Sequence, residues 1–81
     1  MKELMRLNDN QLKKQLSKMH AYDIANLIKD SSSDIQMRFI KLMSLSKTID
    51  VFIELPNDVS RNYFSLLNEN QKKQFLSGFE M

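Results

Sequence analysis

The stretch Val51-Phe52-Ile53-Glu54-Leu55-Pro56-Asn57-Asp58-Val59-Ser60-Arg61-Asn62-Tyr63-Phe64-Ser65-Leu66-Leu67 decides how this chain folds. Its apolar pair Val51-Phe52 returns twelve residues later as Tyr63-Phe64, and Leu55 returns as Leu67. On a helix turning about 100° per residue, positions 51, 52 and 55 share one arc roughly 100° wide. Pro56 has no N–H to donate and disfavours helical geometry at Leu55, so the helix stops there. The unit is one short helix followed by a tight turn.

Outward in steps of twelve, the column through Phe52 reads Leu16, Ile28, Ile40, Phe52, Phe64 and Leu76, all apolar. The column before it reads Gln15, Leu27, Phe39, Val51, Tyr63 and Phe75, and only Gln15 breaks it. Three residues further on, Leu7, Met19, Ser31, Met43, Leu55, Leu67 and Phe79 are interrupted only by Ser31. In a chain that is 42% hydrophobic, three apolar columns in register mark an internal repeat.

The residue after each closing apolar position should begin the next helix. That column reads Asn8, His20, Ser32, Ser44, Pro56 and Asn68. Asn and Ser suit it because their side-chain oxygens accept the free N–H groups of a first helical turn. Asn8-x-x-Gln11 and Asn68-x-x-Gln71 have the spacing of capping boxes, and His20-x-x-Asp23 fits the same frame, with Asp23 completing the cap. At Pro56 the cap is expected one or two residues later, at Asn57 or Asp58.

These signals predict an all-α fold, a superhelical array of about six short helices with a twelve-residue repeat. The helices are expected at roughly 9–18, 21–29, 33–43, 46–55, 58–67 and 70–79. Alone, helices this short do not persist in water, so their apolar arcs must pack on neighbours as in a solenoid. The expected core centres on Phe52 and is shared with Ile28, Ile40 and Leu76. Residues 1–81 form a single domain.

Composition narrows the function classes. The absence of cysteine removes disulfides, a thiolate zinc site and a cysteine nucleophile. No apolar run reaches the about 18 residues a membrane span needs, and residues 1–6 lack the apolar core of a secretory signal. The net charge of +2 divides as +3 over residues 1–22, −2 over 23–58 and +1 over 59–81. That is mild polarity and not the footprint of a nucleic-acid binder. His20 is the single histidine, and no phosphate loop, catalytic triad or zinc motif is present, so an enzyme is not expected. Lys13-Lys14 and Lys72-Lys73 read as solvated pairs on polar helix faces, and Met19 and Met43 as core fillers.

Met19-His20-Ala21-Tyr22-Asp23-Ile24-Ala25-Asn26-Leu27-Ile28, followed by the units Val51-Phe52-Ile53-Glu54-Leu55-Pro56 and Tyr63-Phe64-Ser65-Leu66-Leu67, resembles the amino-terminal cytosolic domain of the MgtE-type magnesium transporters. That family has a His-Pro-x-Asp-Ile/Leu-Ala segment and units ending in Leu-Pro-Pro-Glu. The resemblance covers about residues 7–81 and rests on His20-x-x-Asp23 together with the twelve-residue period. Ala21 replaces the usual proline, one Leu-Pro junction stands where relatives have several, and the charge balance is basic.

The resemblance implies a regulatory job at the cytoplasmic face of the cell membrane. Family members are dimeric channels in which Mg2+ joins this helical domain to a pair of CBS modules and holds the pore shut. Two carboxylate faces repel until a divalent ion neutralises them, and Mg2+ keeps most of its waters while using one or two carboxylates. The implied partners are the CBS modules of the same chain, a second subunit, and the membrane only through a transmembrane domain outside this sequence. Leu66, Phe75, Leu76 and Phe79 leave an unfinished apolar edge, which suits the N-terminal part of a longer transporter.

Asp50 and Glu54 are the candidate Mg2+ ligands. They stand four residues apart on one helix face and flank the apolar arc, and Asp50 aligns with an acidic family position at the CBS interface. Weak Mg2+ binding is expected for this chain alone. The bland alternative is a solvated edge in which Lys47 pairs with Asp50. A second functional reading is a generic helical-repeat domain that docks another protein without a metal.

Overall fold

Helix after helix starts where the cap column places it. The computed structural model, which describes residues 2–78, contains α1 (Lys2–Met5), α2 (Asp9–Lys18), α3 (Ala21–Ile28), α4 (Ser33–Leu42), α5 (Leu45–Glu54), α6 (Asn57–Ser65) and α7 (Glu69–Gly78). The fold is all-α, and the six longer helices begin and end within two residues of the expected positions. The short α1 precedes the first expected helix, with Leu4 twelve residues before Leu16 and Leu7 opening the third column. Phe79, Glu80 and Met81, the close of the last expected unit, lie outside the described residues.

Both Asn-Gln capping boxes form. Gln11 N–H donates to Asn8 Oδ1 at 2.8 Å while Asn8 N–H donates to Gln11 Oε1 at 3.1 Å. The same reciprocal pair joins Gln71 and Asn68 at 2.7 and 2.9 Å. Ser32 and Ser44 accept from Ile35 and Lys47 N–H at the heads of α4 and α5.

Two caps differ from expectation. Pro56 is itself the N-cap of α6, at φ −59° and ψ 153°, and Asn57 is already helical. The ring's fixed φ suits that extended position, so the cap is not displaced. His20 heads α3 without a side-chain bond, and among the described residues Asp23 does not close a box on it. Asp is one methylene shorter than the Gln that reaches back in the two formed boxes.

The principal packing runs two helices apart: α2 lies on α4 and α4 on α6, while α3 lies on α5 and α5 on α7. α5 also contacts α6. Even and odd helices thus form two rows, an arrangement compatible with the expected superhelical array. The described chain measures 36 × 24 × 21 Å.

Along the rows the buried stripe shifts by one residue. Leu16, Ile28 and Ile40 are buried, but the later members of their column, Phe52 and Phe64, are half-buried, and Leu76 is 57% exposed. The neighbouring column moves the other way, from exposed Gln15 to fully buried Phe39, Val51, Tyr63 and Phe75. Phe52, half-buried, still packs against the core cluster that holds Ile28 and Ile40, whereas exposed Leu76 lies outside it, which corrects the expectation for Leu76. Polar Gln15 keeps the second column outside in α2, whereas apolar residues draw it inside from Phe39 onward, turning the first column outward.

A further column, Leu12, Ile24, Gln36, Thr48 and Ser60, is buried throughout. Its polar members bond to nearby backbone carbonyls. Thr48 Oγ1 donates to Ser44 O and Ser60 Oγ to Asn57 O, both at 2.9 Å, and Gln36 Nε2 donates to Ile28 O at 2.9 Å. With those donors satisfied the positions tolerate burial and keep helix axes close.

Candidate functional site

α5 carries the two carboxylates singled out by the sequence, and its packing explains their setting. Thr48, Val51 and Leu55 face inward, which leaves Asp50 and Glu54 exposed beside the buried stripe. Among the described residues neither carboxylate has a side-chain hydrogen bond or ion pair. Glu54 is the last residue of α5, where the negative end of the helix dipole disfavours a carboxylate and favours a cation.

Lys47 does not pair with Asp50. Its Nζ donates to Met19 O at 2.6 Å and so satisfies a carbonyl at the C-cap of α2. This bond crosses from α5 to α2, and no single-sequence signal marks it, because it depends on the row geometry.

Among the described residues no three His, Asp or Glu side chains converge as a metal-holding group. Two carboxylates at one edge suit a divalent ion that keeps most of its water and takes further oxygens from a facing surface. His20 and Asp23 are exposed and stand apart from this edge in sequence as separate N-terminal residues of α3.

On α5, α6 and α7, Phe52, Phe64 and Phe75 pack edge to face. Their ring centroids are 4.8 Å apart for Phe52–Phe75, 5.4 Å for Phe64–Phe75 and 6.3 Å for Phe52–Phe64. With Leu76 they line an apolar depression of about 430 Å³. Lys72 Nζ lies 5.8 Å from the Phe64 centroid, within cation–π range, so this lysine is engaged and not merely solvated.

A second depression, about 260 Å³, opens where α2 meets the α4–α5 junction. Leu16, Leu42 and Met43 form its apolar wall, and Lys13 and Lys47 stand at its edge. It shares Lys13 and Ser17 with a shallower depression of about 450 Å³ that Lys14 and Asn10 also line. Lys13-Lys14 therefore belongs to a groove. The sequence reading missed this because Leu42 comes from another helix.

Tyr63 is fully buried, and its hydroxyl donates to Thr48 O at 3.3 Å. Burial pushes the phenol well above its ordinary range, and the Thr48 side chain offsets only part of that shift. Comparison with known proteins adds no assignment: no protein-family model, curated protein or solved structure matches the chain.

Proposed function

We propose that this chain is a regulatory helical-repeat domain of an MgtE-type magnesium transporter, docking on CBS modules of the same protein through a Mg2+-bridged face. The observation that carries the reading is the unpartnered, exposed pair Asp50 and Glu54, from which the nearest lysine in sequence, Lys47, is drawn off to Met19 O. Like charges held on one helix face repel a second acidic surface, and a hydrated Mg2+ between them reverses the sign of that interaction. Loss of the ion then favours separation of the two surfaces, a population shift driven by differential binding.

Amide chemical shifts of the isotope-labelled chain during a Mg2+ titration test the site. The expected result is weak binding, on the order of millimolar, with shifts confined to the end of α5 and abolished by Asp50→Asn with Glu54→Gln. Saturable shifts elsewhere, or tight stoichiometric binding, would overturn the assignment. At the level of the whole protein, a reading frame encoding two CBS modules and membrane segments supports the transporter role. A frame with neither removes it.

A second reading, a metal-free adaptor for another protein, is favoured by the apolar depression at Phe52, Phe64, Phe75 and Leu76. An intact pore regulated normally by Mg2+ after Asp50→Asn and Glu54→Gln would favour this alternative.

A further inference from the structure

We infer that the groove between α2 and the α4–α5 junction is a docking site for an acidic peptide with apolar side chains between its carboxylates. This goes beyond the Mg2+ reading and uses neither of its carboxylates. Three lysines, Lys13, Lys14 and Lys47, border the two connected depressions, and no carboxylate lines either one. Among the described residues none of the three lysines has an acidic partner within ion-pair distance. The groove is therefore a local excess of positive charge in a chain whose net charge is only +2.

Lys47 is the fixed element. It is half-buried, and its Nζ is pinned by Met19 O at 2.6 Å. An ammonium has three donors, so two remain for an incoming carboxylate. Lys13 and Lys14 are exposed on α2 and can settle on charges at the groove's outer edge.

The wall of Leu16, Leu42 and Met43 selects the class of ligand. A bare anion has no use for an apolar wall, and flat bilayer or duplex surfaces do not enter a recess between helices. One or two apolar side chains of a peptide lying across α2 fit the recess, with flanking carboxylates over the lysines. Charge complementarity sets register and encounter rate, and the apolar contact supplies the burial.

The test uses the full chain and a fluorescein-labelled peptide of alternating Glu and Leu, followed by fluorescence anisotropy. Saturable binding that weakens as salt rises is expected. Lys13→Glu with Lys14→Glu should weaken it at least about tenfold, and a Glu–Ser peptide should bind correspondingly worse. These exposed lysines make no structural bond, and circular dichroism of the variant confirms the fold. Asp50→Asn with Glu54→Gln should leave peptide affinity unchanged, which separates this site from the Mg2+ edge. Failure of the Glu–Leu peptide to bind, equal binding by the lysine variant, or equal binding of a Lys–Leu peptide would overturn the proposal. So would tighter binding to anionic vesicles or an oligonucleotide than to the peptide at equal charge concentration.

Discussion

Tyr63 shows how one side chain couples the core to pH. Its phenol is inaccessible to water and donates to Thr48 O, so ionisation in place would strand a charge without solvent. The folded pKa lies above the unfolded value of 10.0, so the folded state holds the proton more tightly than the unfolded one. The associated stability is complete below that value and declines as pH rises through and above it. Tyr63→Phe should cost about 0.5–1.5 kcal/mol at neutral pH through loss of one hydrogen bond. It should also flatten the stability loss above about pH 10, measured by urea unfolding against the wild type. Parallel losses in the two proteins would show that another group governs alkaline unfolding. Gln36 is the other buried polar residue of note. Its Nε2 bonds to Ile28 O and Ser31 O, while its Oε1 has no partner among the described residues. It ties the end of α3 to α4 at the expense of one unsatisfied acceptor.

At the scale of the element, the helices are individually weak and depend on their ends. α2 has a closed capping box and a second tie at its head, where Arg38 Nη2 donates to Leu7 O at 2.7 Å and pairs with Asp9 at 3.1 Å. α3 has only His20, which accepts no first-turn N–H. His20→Asn should supply that acceptor and stabilise the protein by about 0.5–1 kcal/mol, read as a higher thermal midpoint. An unchanged or lower midpoint would mean that the first turn of α3 is already satisfied by solvent. The cap column was legible in the sequence because Asn, Ser and Pro restrict the backbone locally. Which flank of each helix lies inside was less so. Gln36, Thr48 and Ser60 break the apolar pattern at buried positions, and hydrogen bonds to nearby carbonyls hide that polarity only once the helices form. Lys47 and the Lys13 groove depend on helices meeting across long stretches of chain, which a twelve-residue period does not encode. Asp50 and Glu54 were legible as an edge, but no periodicity says whether anything faces them.

For the whole molecule, stability rests on the rows. A chain of this length has about 4–12 kcal/mol in total, so the loss of one helix–helix contact surface is a large fraction. α5 is the hub, since it packs on α3, α6 and α7. Native-state hydrogen exchange should accordingly find the slowest amides in α5 and the fastest in α1, a helix of four residues. Amides of α2 outlasting those of α5 would relocate the hub toward the N-terminal end.

The separation of even from odd helices has a consequence for how such a chain can grow. Inserting or duplicating one twelve-residue unit changes parity: every later helix would cross to the opposite row and meet faces shaped for its former neighbours. Adding two units preserves every downstream pairing. The heritable module is therefore the twenty-four-residue doublet, although the sequence repeats every twelve.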